Sequence, residues 1–225
     1  MDAQKILIIE DHNETRRFLE TMLSQKYQVL VAENAVVGID HARHRAPDLI
    51  ILDVVLPILN GIDACSLLKQ DEKTKRIPII LLSVKHSQAE VAKGLAAGAD
   101  DFLPKPFDFK ELETRIATRL KKVESTIARP LVIGELKIDP TTRDVTYGGK
   151  RVQLTLTEFD ILKFIVSKQG MIVSRDEILK EVWKDQSHTT NDRTIDVHIR
   201  ALRKKIPDMT RHIISIYGVG YKYEE

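Results

Sequence analysis

The chain is poor in cysteine, in long apolar runs and in net charge. Its one cysteine, Cys65, allows no disulfide within the chain and no cysteine-based zinc cluster, a pattern that points to a reducing cytoplasm. No apolar run approaches the roughly 18 residues needed to cross a bilayer. After Met1-Asp2-Ala3-Gln4-Lys5 only a short apolar run precedes Glu10-Asp11, too little for a signal-peptide core, so neither secretion nor membrane association is expected. Internal repeats, low-complexity segments, a Gly-rich phosphate loop and a dinucleotide fingerprint are all missing.

What remains is a globular composition, 43% hydrophobic and 30% charged, over 225 residues, a length that suits two domains. The formal net charge of +2 is unevenly placed. Residues 1–122 hold 18 Lys+Arg against 18 Asp+Glu, whereas residues 186–222 hold seven against three. A local positive excess near the carboxyl terminus is what a nucleic-acid contact requires.

The first half alternates short apolar runs with amphipathic stretches. Ile6–Ile9, Val29–Ala32, Leu49–Leu52, Ile79–Leu82 and Phe102-Leu103 are five strand candidates, mostly continuous rather than alternating, as in parallel strands covered on both faces. Helical spacing lies between them, in Phe18, Leu19, Met22 and Leu23, in Ala64, Leu67 and Leu68, in Val91, Leu95 and Ala96, and in Leu112, Ile116 and Leu120. The pattern predicts a doubly wound, flavodoxin-like α/β domain with a five-stranded parallel sheet over 4–122, and a linker over 123–130.

Ligands of such sheets bind beyond the carboxyl ends of the strands. Glu10 and Asp11 follow the first strand and Asp53 the third, Ser83 follows the fourth, and Lys105 follows the fifth. A single acidic residue there is often only a helix cap. Three carboxylates at one edge repel one another unless a cation sits among them, and oxygen-only ligation suits Mg²⁺. With a hydroxyl and an ammonium added, the set suits a phosphoryl group carried by Asp53, its charge offset by Mg²⁺ and Lys105 and one oxygen held by Ser83.

The segments Ile9-Glu10-Asp11, Leu52-Asp53-Val54-Val55-Leu56-Pro57-Ile58-Leu59-Asn60-Gly61 and Gly98-Ala99-Asp100-Asp101-Phe102-Leu103-Pro104-Lys105-Pro106-Phe107 resemble the receiver domain of two-component response regulators. The resemblance implies that a histidine kinase phosphorylates Asp53. It also implies Mg²⁺ held by Glu10, Asp11, Asp53 and the Val55 carbonyl, with Ser83 and Phe102 as a switch pair. Val84 is bulkier than the residue usual after the switch hydroxyl, so slow labelling by small phosphodonors is expected.

The second half, 131–225, reads as an α+β winged helix-turn-helix. Leu131–Ile138, Asp144–Tyr147 and Arg151–Leu154 form a sheet with a Gly148-Gly149 hairpin. Helices follow from a Thr157-x-x-Asp160 cap, from a Ser174–Glu177 cap, and from about Asn191 to Ile206. Ile195, Ile199, Leu202 and Ile206 form the inward stripe of the third helix. Arg193, Thr194, Val197 and His198 are expected on the other side, flanked by Arg200, Arg203, Lys204 and Lys205. The motifs Leu156–Phe159, Ser174–Leu179, Val182-Trp183, Asp192–Lys205 and Gly218–Tyr221 resemble the effector domain of the OmpR/PhoB family.

That resemblance implies binding to repeated half-sites on double-stranded DNA, through these helix residues and a wing. At Tyr217 the family usually has an arginine. Lys184 to Asn191 falls where members touch RNA polymerase. Dimerisation on activation is implied through the fourth helix, fifth strand and fifth helix, where Asp101, Glu111 and Arg115 stand. Val91, Ala96 and Ala117 thin that ion-pair set. No enzyme activity is expected: haloacid-dehalogenase-like phosphatases carry a second aspartate where this chain has Val55. The alternative is a constitutive DNA-binding regulator whose poorly phosphorylated receiver serves for dimerisation.

Overall fold

The five continuous apolar runs become strands β1 (Lys5–Ile9), β2 (Gln28–Ala32), β3 (Leu49–Asp53), β4 (Ile79–Ser83) and β5 (Asp101–Pro104). Helices α1 (Asn13–Leu23), α2 (Ala35–Arg45), α3 (Gly61–Gln70), α4 (Gln88–Ala96) and α5 (Phe109–Leu120) alternate with them. The computed structural model describes residues 3–84, 87–120, 130–183 and 192–224. The chain divides into two units, Met1–Leu120 and Lys121–Glu225, and all of the expected linker except Pro130 lies outside the described residues.

The sheet of the first unit is parallel throughout, in the order β2-β1-β3-β4-β5. Its strands read as unbroken apolar runs because each face has its own core. Leu7, Ile9, Ile50, Leu52, Ile79 and Leu81 pack with Ala42 of α2 and Ala64, Cys65 and Leu68 of α3. Ile6, Ile8, Leu49, Ile51, Ile80 and Leu82 pack with Leu19 and Leu23 of α1 and with Leu112 and Ile116 of α5. Each buried leucine or isoleucine among these contributes about 1.5–3 kcal/mol on burial. A buried ion pair closes the amino-terminal edge of the sheet. Asp100 Oδ2 accepts from Lys69 Nζ (2.6 Å) and from the N–H of Ile79 (3.0 Å), and Lys69 also donates to the Ile77 carbonyl (2.8 Å).

In the second unit β6 (Leu131–Ile133), β7 (Leu136–Asp139), β8 (Asp144–Tyr147) and β9 (Lys150–Val152) form an antiparallel sheet. Then come α6 (Leu156–Ser167), β10 (Ile172–Ser174), α7 (Arg175–Trp183), α8 (Asp192–Lys205), α9 (Met209–His212), β11 (Ile213–Ile216) and β12 (Gly220–Tyr223). A second antiparallel sheet runs β10-β12-β11, and the three long helices share one core with both sheets.

Three local readings change. The stretch expected as one strand over Leu131–Ile138 is two, because Gly134 turns the chain at φ +52°. The cap of α6 is Thr155 rather than Thr157. The Glu158 N–H donates to Thr155 Oγ1 (3.3 Å) and Glu158 Oε2 accepts from the Thr155 N–H (2.8 Å), a reciprocal capping box, while Thr157 is buried inside the helix. Strand β10 and helix α9 add to the expected elements. At β12 an added Cβ on Gly220 would lie 2.0 Å from the Val173 carbonyl oxygen, so only glycine lets β10 approach there.

Candidate functional site

Parallel register brings the strand ends of the first unit to one edge, with Asp53 opposite Leu82 and Ser83 opposite Pro104. Glu10, Asp11 and Asp53 converge there, each offering a carboxylate oxygen within 4.8 Å of the others. Glu10 and Asp53 are buried at 1% and 5% exposure, and Asp11 is exposed. Lys105 Nζ donates to Glu10 Oε2 (2.7 Å) and Asp53 Oδ2 (2.8 Å), and the Lys105-Pro106 bond is cis.

Burial pushes the Glu10 carboxyl above its ordinary value, as does repulsion from Asp53, while Lys105 works in the opposite direction. For Lys105 burial lowers the value, but the two carboxylates outweigh it and the ammonium is raised. The donor set fits Mg²⁺: it is oxygen-only, anionic and open on its Asp11 side. Ser83 is fully buried, Phe102 nearly so, and Val84 is half exposed at the rim.

Arg16 was not foreseen. Its Nη1 donates to the carbonyl oxygens of Glu10 (2.8 Å) and Asp11 (3.0 Å), pinning the turn that carries both carboxylates. Those acceptors are backbone atoms, so no residue type in the sequence signals the clamp. Arg115, expected with Asp101 and Glu111 on a subunit boundary, is fully buried and pairs with both inside the chain, at 2.6 and 2.7 Å. The reason is placement. Asp101 opens β5 beneath α5, and Glu111 lies one turn before Arg115.

In the second unit α8 exposes Asp196, Arg200 and Lys204, spaced by four, with Val197 and Ala201 half-buried. Thr194 and His198, expected on that face, turn inward instead. They are 5% and 1% exposed, and His198 packs against Trp183 with ring centroids 6.0 Å apart. An imidazole and a threonine methyl fill a core position well, and residue type alone did not separate the two faces. The side chain of Arg193 and the segment from Lys184 to Asn191 lie outside the described residues.

Arg203 is also placed differently. Its Nη2 donates to the Ile213 carbonyl and to Ser215 Oγ (3.1 Å), fastening α8 to β11 rather than facing outward alone. The hairpin tip of β11 and β12 carries Tyr217, fully exposed, beside Gly218 at φ +72°. Asp196 Oδ1 accepts from Arg175 Nε (3.0 Å) and from the Tyr221 hydroxyl (2.5 Å). Burial, with Asp196 adding to it, pushes that hydroxyl up to about 12. A cleft of about 640 Å³ lies between the start of α7 and the hairpin, lined by Arg175, Ser215 and Tyr217 among others.

A doubly wound domain with an acidic strand-end site, followed by a winged helix-turn-helix, defines a DNA-binding response regulator. Residues 6–117 match the response regulator receiver domain, and residues 149–223 match the transcriptional regulatory protein carboxyl-terminal domain. The chain belongs to the OmpR/PhoB family of response regulators. It is 34% identical to the DNA-binding response regulator MtrA of Mycolicibacterium smegmatis, covering 97% of this chain and 96% of that one. It is also 34% identical to the phosphate regulon transcriptional regulatory protein PhoB of Pseudomonas aeruginosa, over 99% and 98%. Among solved structures it resembles the response regulator DrrB of Thermotoga maritima, at 30% identity, full coverage of both chains and a TM-score of 0.54. Among the described residues no helix is long and apolar enough to cross a membrane.

Proposed function

We propose that Asp53 accepts a phosphoryl group from a histidine kinase, and that this favours pairing of receivers and binding of two effector domains to repeated half-sites on duplex DNA. A carboxylate oxygen of Asp53 attacks the phosphorus of a phosphohistidine, the P–N bond breaks, and the imidazole leaves with its electron pair. Lys105 is already hydrogen-bonded to Asp53 and offsets charge on the transferred oxygens. Mg²⁺, held by Glu10, Asp11, Asp53 and the Val55 carbonyl, supplies further positive charge when bound. Ser83, at the end of β4, closes on a phosphoryl oxygen, and Phe102 moves with it, shifting the balance between two states of the α4, β5 and α5 surface.

The observation that carries this reading is the meeting of Glu10, Asp11, Asp53 and Lys105 at one sheet edge, four residues that share no local sequence neighbourhood beyond the first pair. On the DNA side, Arg200 and Lys204 of α8 hold phosphates, Val197 meets base edges, and Tyr217 extends from the hairpin toward the adjacent groove. Because Arg115 pairs with Asp101 and Glu111 of its own chain, receiver pairing rests more on apolar packing than on exchanged ion pairs.

The test is phosphotransfer from a purified histidine kinase to the full chain. Phosphate labile to base and to hydroxylamine, as an acyl phosphate is, is expected on the wild type and none on Asp53→Asn, and the phosphorylated wild type sediments as a dimer. Equal labelling of Asp53→Asn would remove the acceptor assignment, and unchanged sedimentation would remove the pairing step.

A further inference from the structure

We propose that Asp196 reads a base. Its Oδ2 accepts a hydrogen bond from the exocyclic amine of a cytosine in the major groove, and Arg175 and Tyr221 are the positioning residues that hold it for that contact. The inference rests on the reading of α8 as the DNA-facing helix.

An acidic side chain on a helix that meets a polyanion is repelled by the phosphates and needs a compensating role. Asp196 lies on the exposed stripe with Arg200 and Lys204, in the amino-terminal half of α8, the part of such a helix that reaches base edges. Its side chain is 47% exposed. Both of its protein contacts use the same oxygen: Arg175 Nε at 3.0 Å and the Tyr221 hydroxyl at 2.5 Å both donate to Oδ1. Arginine–carboxylate pairs are frequently bidentate, the fork engaging both oxygens. Here Oδ2 has no partner among the described residues, and one acceptor is left for an outside donor.

The anchors are firm. Tyr221 is 3% exposed within β12, and the Arg175 guanidinium lies 5.0 Å from the centre of its ring. The Arg175 N–H donates to the Val219 carbonyl (3.3 Å), and the reciprocal Ser174 and Glu177 bonds fix the start of α7. Asp196 is thereby held from α7 and from the hairpin at once, and Arg175 cancels its charge locally. A carboxylate presented this way accepts from cytosine N4 and is repelled by the carbonyl edges of guanine and thymine, so it discriminates by rejection as well as by attraction.

The experiment selects DNA bound by the full chain from a random pool, with wild type, Asp196→Asn, Tyr221→Phe and Arg200→Ala, and records each variant's melting temperature. Asp196→Asn is expected to melt as the wild type does and to lose the preference for cytosine at one base pair per half-site, by about tenfold, since its amide oxygen stays with Arg175 and Tyr221 and the outward position is taken by an NH2 group, which donates where the carboxylate accepts. Tyr221→Phe keeps cytosine with weaker discrimination. A second measurement needs no variant: replacing that cytosine by a pyrimidine lacking the 4-amino group weakens wild-type binding by about tenfold. An Asp196→Asn that selects the same sequence as wild type, or binds all sequences uniformly more weakly, overturns the proposal, because a merely structural carboxylate changes no single base preference. Arg200→Ala separates the two readings. If it lowers affinity and salt slope while Asp196→Asn is silent, only the base contact fails. If it changes neither, the assignment of α8 fails with it.

Discussion

Gly61 offers the sharpest test of how the fold places Asp53. It opens α3 directly behind the end of β3, and its N–H donates to the Val54 carbonyl (2.9 Å). A Cβ at this position would stand 2.0 Å from the Asp53 carbonyl oxygen and 2.8 Å from Val54 Cα, both backbone atoms that cannot swing aside as a side chain can. Contacts of that kind essentially never fall below 3.0 Å, so Gly61→Ala drives α3 and the end of β3 apart by about 1 Å. The hydrogen bond from Lys105 to Asp53 is 2.8 Å long, and a displacement of that size takes it past the useful range. Overpacking of this sort costs about 1–3 kcal/mol, which the unit survives, whereas misplacing a reacting group by about 1 Å costs on the order of 100-fold in rate. Single-turnover phosphotransfer from a histidine kinase is therefore expected to slow far more than stability falls. A variant that melts several degrees lower yet accepts phosphate within about twofold of wild type would refute the claim that Gly61 sets the position of Asp53.

Two further outcomes follow from buried charges. Burial raises the Asp100 carboxyl, but Lys69, then Arg119 and the Ile79 N–H, outweigh it and hold the group below its ordinary value. Its folded value thus lies below its unfolded one, and the stability it contributes is present above the unfolded value and lost as pH falls through the folded one. Lys69→Met strands the carboxylate at a cost of about 3–5 kcal/mol at neutral pH and lets burial raise the folded value, so the deficit against wild type shrinks on acidification toward about pH 4. Thermal melts giving an equal deficit at pH 7 and pH 4 would contradict this. Arg203 fastens α8 to β11, so Arg203→Ala is expected to lower the melting temperature and weaken DNA binding with little change in salt slope. A loss of about one unit of slope, measured by titration at several salt concentrations, would return Arg203 to the phosphate-contacting set.

Much of the first unit was legible because its signals are local and redundant. An apolar run such as Leu49–Leu52 ending in an aspartate reports a strand, its burial on both faces and the edge where its carboxylate emerges. The clamp by Arg16 and the closure of Arg115 on Asp101 and Glu111 were not legible, since both depend on which backbone or side-chain atoms lie nearby after folding. Capping was half legible: two threonines two residues apart, Thr155 and Thr157, both precede an acidic residue by three, and only the one whose partner can reach back to it forms the box. The faces of α8 were misjudged at Thr194 and His198 for a related reason. Polarity is a poor proxy for exposure on this helix: the 3.6-residue period puts both beside the Ile195 and Ile199 stripe, and His198 packs against the Trp183 ring.

These placements change what one effector domain can do alone. Of the basic residues in α8, Arg203 is committed to β11 and Lys205, though exposed, donates to Glu158 Oε2 (2.6 Å), which leaves Arg200 and Lys204 as exposed cations without such a bond among the residues whose side chains are described. Each phosphate neutralised contributes about 0.9 to the log–log salt slope, so α8 is expected to supply about two units of slope from these two residues. Arg175 is taken up in neutralising Asp196, and Tyr217 brings no cation to the hairpin tip. With part of its positive charge committed inside the unit, such a surface is expected to bind a single half-site more weakly than its count of basic residues suggests. It therefore gains most from having a second copy held nearby, because linking two weak sites raises occupancy through effective concentration without any new contact. On the proposed reading, control over receiver pairing would act directly on DNA occupancy, and phosphorylation is expected to raise binding to a paired half-site far more than binding to a single one, which a titration on the two DNAs checks.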